Sequence, residues 1–164
     1  MSYAVYTTRG FILGSGPSGE ASKIYVIYTE DFGLIRAKAQ GVRLIQSKLR
    51  YNLEDFSFCS LSLVRGKEVW RLTRSESLGG EGTKENRLVR ARVLSLVRRL
   101  VQGEERNDDL FKCLLMLEKE DIKETDILEA ILSALGYLDL SATLGKSERE
   151  RIMAINKALK ETQL

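Results

Sequence analysis

The feature that most constrains this chain is a single change of hydrophobic period near residue 80. Before it, β-branched and aromatic residues alternate over short runs, as strands with one buried face require. After it, Leu, Val and Ile recur at three- and four-residue spacing among Arg, Glu and Lys, as amphipathic helices require. Between the two lies Ser77-Leu78-Gly79-Gly80-Glu81-Gly82, with three glycines in four positions. Such a stretch reads as a joint. The expected fold is therefore α+β, with a β domain over residues 1–80 and a helical domain over residues 81–164.

Five strands are expected in the first half: Tyr3 to Leu13, Lys23 to Thr29, Gly33 to Ala39, Phe56 to Val64 and Lys67 to Arg74. Gly14-Ser15-Gly16-Pro17-Ser18-Gly19 reads as a loop, Glu30-Asp31-Phe32-Gly33 as a tight turn and Arg65-Gly66 as a hairpin turn. Between the third and fourth strands, Val42, Ile45, Leu49 and Leu53 are spaced three, four and four apart, which fits a short helical crossover. Three strands, a helical connection and two further strands are the order of a five-stranded OB-type barrel, with an SH3-like barrel as the nearest rival. Phe56 and Phe58 are expected in its core, and Trp70 in the core or at the rim.

Four helices are expected in the second half. The first runs from Lys84 to Gln102, with Val89, Val93, Leu96, Val97 and Leu100 on one stripe. Asn107 or Asp108 caps the second, Thr125 or Asp126 starts the third, and Gly136 ends it. Ser147-Glu148-Arg149-Glu150 has the spacing of a capping box and opens the last.

The chain has no histidine and two well-separated cysteines, Cys59 and Cys113. Histidine-dependent acid–base and nucleophilic chemistry is excluded, and no thiolate-rich zinc site can be assembled. The glycine-rich loop at 14–19 is followed by Glu20 and lacks the lysine of a phosphate-binding P-loop. We therefore expect no enzyme, no cofactor and no metal. The two thiols are expected to be reduced and mostly buried. With no leader and no apolar run of membrane-spanning length, the expected location is the cytoplasm, at the bacterial nucleoid, away from any membrane.

The net charge of +3 divides unevenly, +4 over residues 1–80 and −1 over the rest. From Phe32 to Leu53 no acidic residue occurs, while Arg36, Lys38, Arg43, Lys48 and Arg50 do. A cationic run without counter-charge fits a phosphate-contacting surface; the bland alternative is a solvated charged face. A second run holds Arg87 and Arg90 within Lys84, Arg92, Arg98 and Arg99, opposed by Glu85 alone. Single-strand binding also needs rings on which bases stack, and Tyr28 and Tyr51 are candidates. Tyr25 and Tyr28 must face opposite sides of a regular strand, so one belongs to the core. The nucleic-acid set is thus Arg36, Lys38, Arg43, Lys48, Arg50, Arg87, Arg90, Tyr28 and Tyr51. An RNA-binding OB protein and a protein-interaction adaptor are the alternatives to a DNA-binding reading.

Several segments together resemble the bacterial recombination mediator and DNA repair protein RecO. They are Arg9-Gly10-Phe11-Ile12-Leu13-Gly14-Ser15, Gly19-Glu20-Ala21-Ser22-Lys23, Tyr28-Thr29-Glu30-Asp31-Phe32-Gly33 and Ala39-Gln40-Gly41-Val42-Arg43-Leu44-Ile45-Gln46-Ser47-Lys48-Leu49. They carry, in order, the family's G-E at the second strand, its T-x-x-x-G turn and its A-x-G-x-R-x-x-x-S-x-L segment. Leu135-Gly136-Tyr137-Leu138-Asp139-Leu140 resembles its helical domain. Many family members are longer and carry a cysteine cluster where Ser141-Ala142-Thr143-Leu144-Gly145 stands here, so the chain reads as an unusually short form. The resemblance implies binding and annealing of single-stranded DNA and help in loading a recombinase during repair. It also implies, as partners, a RecR-like mediator, single-strand-binding protein and the recombinase. Carried over by position, Arg36, Lys38, Arg43 and Lys48 face DNA. The acidic, apolar tail of single-strand-binding protein would suit a groove formed by Leu138, Leu140 and Leu144 with Lys146 and Arg149.

Overall fold

A computed structural model describes residues 2–44 and 46–162. The chain divides into two compact units. The first comprises the residues up to Gly80 together with Val101–Arg106; the second comprises Glu81–Leu100 and Asn107 onward.

The first unit is a closed five-stranded barrel. Its strands are β1 (Val5–Ser18), β2 (Ser22–Thr29), β3 (Gly33–Ala39), β4 (Phe58–Val64) and β5 (Trp70–Ser77), in the order β1-β2-β3-β5-β4. All pairings are antiparallel except that of β3 with β5, which are parallel through Ala37–Trp70 and Lys38–Arg71. Strand β1 closes the barrel by pairing β4 along its first half and β2 along its second. This closure and order are those of the OB fold, as the sequence suggested.

The barrel interior follows strand alternation. Ile12, Tyr25, Ile27, Ile35, Ala37, Ala39, Cys59, Leu61, Leu63, Trp70 and Leu72 form one buried cluster. Burying each of the Ile and Leu side chains contributes roughly 1.5–3 kcal/mol, before the entropy of ordering them is subtracted. Phe58 is buried as expected, on the opposite face of β4 from Cys59, and stacks on Phe11 with centroids 4.6 Å apart. Phe56 precedes β4 and has φ 68°, so it is a turn residue and not a strand residue.

Two other expectations change. Gly14 to Ser18, read as a loop, continue β1, paired with Val26 through Ser22. A bulge between Ile12 and Gly14 bends the strand at this point; such bends let one strand serve two neighbours in a closed sheet. The crossover between β3 and β4 is irregular, with a single 3-10 turn at Lys48–Tyr51. Its apolar residues still act as expected: Val42 and Leu53 are buried in the barrel cluster and Leu49 packs on it. Ile45 lies outside the described residues.

The helical unit contains α1 (Lys84–Leu100), α2 (Asp108–Leu115), α3 (Glu124–Ala134) and α4 (Glu148–Glu161). Val89, Val93, Leu94 and Val97 are the buried face of α1. Asn107 caps α2 by accepting from the Leu110 amide at 2.9 Å. Ser147 and Glu150 form the expected capping box on α4, and Ser147 holds the Glu150 carboxyl below its ordinary range. Gly136, at φ 80°, follows α3. Leu132, Ile155 and Ala158 join α3 to α4, with Leu128, Leu138 and Leu159 packed around them. Arg151 of α4 forks onto Glu129 at 2.9 and 2.7 Å and reaches Asp126 at 2.5 Å. Among the described residues, no helix is long and apolar enough to cross a membrane.

Candidate nucleic-acid interface

The outer face of β3 carries Leu34, Arg36 and Lys38, because Ile35, Ala37 and Ala39 point inward. Arg36 and Lys38 therefore share a face, Arg36 exposed and Lys38 half-buried. The parallel register puts Lys38 beside Arg71 of β5. The β4–β5 loop then folds over toward them. Lys38, Gln40, Lys67, Glu68, Val69 and Arg71 line a cleft of about 390 Å³. Three cations face one carboxylate there. Gly66 fixes the turn of this loop: a Cβ at that position would sit 2.0 Å from the Val69 carbonyl oxygen.

A second cleft, of about 480 Å³, opens where the crossover covers β2. Lys23, Arg43 and Arg50 line it, opposed by Glu54 and Asp55, with the buried Tyr25 and Ser15 alongside. The Arg43 guanidinium donates to the Gly19 carbonyl at 3.2 Å, and Ser15 bonds Asp55 at 3.2 Å. Burial, and then the Asp55 charge, raise the Tyr25 phenol, which remains protonated. With two carboxylates among three cations, this cleft is less suited to a polyanion than the first.

The acid-free run is thus split. Lys38 goes to one cleft, Arg43 and Arg50 to the other, and Arg36 and Lys48 line neither. Lys48 and Tyr51 are exposed on the 3-10 turn, Tyr51 at 73%. Tyr51 keeps its standing as a stacking candidate. Tyr28 does not: it lies across from Phe11 and Leu34 and is fully buried, with no ring face for a base. Arg90 is also removed from the set. Its side chain is 12% exposed, lies 2.9 Å from Glu118 and donates to the Leu117 carbonyl at 3.1 Å. The Arg90–Glu118 contact is an ion pair off the hydrogen-bond direction, since Glu118 Oε1 has no hydrogen-bond partner. Burial raises the Glu118 carboxyl and Arg90 opposes that rise. Arg87 is exposed and donates to the Gly82 carbonyl at 3.3 Å, before α1 begins.

Lys67, Arg71 and Lys23 were not singled out from the sequence. The first two become visible only through the pairing of β3 with β5, which no local pattern encodes. In the helical unit, Leu138 is spent on the α3–α4 cluster, while Leu140, Leu144, Lys146 and Arg149 are exposed. A separate cleft of about 370 Å³ between α1 and α4 combines Leu96 and Leu159 with Arg99 and Lys160. Among the described residues, no group of three or more Cys, Asp or Glu could hold a metal ion.

Fold and site together define an OB-type barrel with a cationic cleft between its third strand and its β4–β5 loop, followed by a helical unit. Residues 1–80 match the family model described as the N-terminal domain of recombination protein O. The same region is 40% identical over 75 residues to the DNA repair protein RecO of Rubrobacter xylanophilus, covering 46% of this chain and 30% of that protein. The RecO of Dehalococcoides mccartyi is 38% identical over 73 residues, 44% of this chain and 29% of its own. That of Alkaliphilus metalliredigens is 29% identical over 147 residues, 84% of this chain and 59% of its own. Over its barrel domain the chain is thus similar to RecO proteins. The matched stretch spans between about a third and three fifths of these relatives.

Proposed function

We propose that the chain binds single-stranded DNA through its barrel and acts, without catalysing a reaction, as a recombination mediator that anneals strands and assists recombinase loading in repair. The observation that carries this reading is the cleft of Lys38, Lys67 and Arg71. It lies on the β3 and β4–β5 loop side of an OB barrel, where such barrels take oligonucleotides. The similarity to proteins named for DNA repair favours DNA over RNA. Cations alone would position a strand without reading its bases. Affinity should accordingly vary little with sequence and fall steeply with salt.

Equilibrium binding to matched DNA and RNA oligomers over a salt series tests the reading. Preferential, salt-dependent binding of single-stranded DNA is expected. No DNA binding at low salt overturns it, and a strong RNA preference transfers the site to an RNA-binding role.

For partners, the proposal extends to a RecR-like mediator, the recombinase and the tail of single-strand-binding protein. Leu140, Leu144, Lys146 and Arg149, close together along the chain, offer exposed apolar and cationic groups to an acidic, apolar peptide. Titration calorimetry with that peptide is expected to show binding. Replacing Lys146 and Arg149 by alanine should weaken it severalfold and leave DNA affinity unchanged. Undiminished peptide affinity in that variant removes these residues from the docking site.

A further inference from the structure

Besides Lys67, the β4–β5 loop carries Arg65, a cation whose charge is already engaged. Arg65 lies over the ring of Trp70, its guanidinium carbon 4.6 Å from the ring centroid. Trp70 is buried and packs against Phe32, with centroids 4.8 Å apart, and against the edge of Tyr6 at 5.6 Å. Glu104, from the Val101–Arg106 segment that belongs to the barrel unit, holds both partners. Its carboxylate accepts from Trp70 Nε1 at 3.0 Å and pairs with Arg65 at 3.1 Å. The stack fixes where the guanidinium sits and leaves it open to solvent, with 61% of the Arg65 side chain and 41% of Glu104 exposed. An exposed ion pair of this kind is worth little, at most a few-fold in an equilibrium constant. A polyanion can therefore compete for Arg65.

Arg65 also directly precedes, along the chain, the wall of the cationic cleft. The next residue, Gly66, together with Lys67, forms the cleft wall, and Trp70 is followed by Arg71. We infer that Arg65 is a further phosphate-binding residue held in reserve: a backbone phosphate of the bound strand takes Arg65 from Glu104. Glu104 thus acts as an internal competitor that lowers affinity for nucleic acid. This rests on the cleft being the nucleic-acid site. The exchange keeps the guanidinium paired with an anion before and after binding and frees one carboxylate. It adds one phosphate contact, worth a fixed increment of salt dependence.

The test uses the full chain and an oligothymidylate, with affinity read by anisotropy over a salt series. Because the chain has a single tryptophan, its fluorescence reports Trp70 alone. Glu104→Gln keeps an acceptor for the indole and removes the competing charge. It should raise affinity by roughly two- to fivefold. Arg65→Ala should lower affinity and make the salt slope shallower by about 0.7, and the double variant should behave as Arg65→Ala. Binding should shift Trp70 emission in the wild type. Unchanged affinity and slope in Arg65→Ala overturn the inference, as does a loss of affinity in Glu104→Gln at unchanged thermal stability. Those results leave the cleft reading standing if Lys38, Lys67 and Arg71 still carry the salt dependence. Absence of any wild-type binding instead removes the cleft reading itself.

Discussion

Gly33 shows how narrowly one residue can be specified. It opens β3 at φ 66°, where a side chain costs about 1–2 kcal/mol on backbone grounds alone. A Cβ there would also lie 2.2 Å from the Glu105 carbonyl oxygen, and the adjacent Leu34 amide donates to Gly103 at 3.3 Å. The glycine is thus the place where the Val101–Arg106 segment lies against the barrel backbone. Gly33→Ala should destabilise the protein by about 2 kcal/mol or more, combining strain with overpacking. It should also disturb Trp70 fluorescence, since Glu104 lies in the displaced segment. Chemical denaturation with tryptophan detection checks both, and wild-type stability in the variant would contradict the packing described. The family turn Thr29 to Gly33 is readable in the sequence; the segment that Gly33 admits, some seventy residues later, is not.

At the scale of elements, Arg90 of α1 separates a structural charge from a binding one. Both Arg90 and Glu118 are largely buried, at 12% and 19% side-chain exposure. Removing Arg90 strands a carboxylate whose burial already raises its pKa. Arg90→Ala should cost about 3 kcal/mol of stability, the lower end for a broken buried pair, and leave DNA affinity unchanged. Thermal melts and oligomer binding on the same variant distinguish this from a nucleic-acid role. In sequence, Arg90 lies nearer the apolar stripe of α1 than Arg87 does, but the partner Glu118, on a different element, is not legible there. The elements themselves were largely legible. Asn107 and Ser147 marked helix starts through side-chain chemistry that acts within three residues. The crossover was not, because Val42, Leu49 and Leu53 need only reach the open end of the barrel, and an irregular chain does this as well as a helix. Gly14 to Ser18 misled for the opposite reason: glycine and proline usually interrupt strands, but here Gly14 follows a bulge and Pro17 pairs at the end of β1.

On the scale of the whole molecule, the fold divides the acid-free run from Phe32 to Leu53 between separate surfaces. Charge composition is additive along the sequence, whereas a binding cleft is assembled by topology. The parallel contact of β3 with β5 brings Lys38, Lys67 and Arg71 together, and it also diverts Arg43 and Arg50 to a cleft with two carboxylates. The central claim is that the first of these clefts holds a single strand by its phosphates. The most direct measurement compares the salt dependence of oligothymidylate binding by the wild type and by Lys38→Ala/Lys67→Ala/Arg71→Ala. Each lost phosphate contact on a single strand reduces the slope of log K against log salt by about 0.7. The triple variant should therefore bind more weakly at every salt concentration, with a slope shallower by about 2. Equal affinity and equal slope in the two proteins would contradict the account.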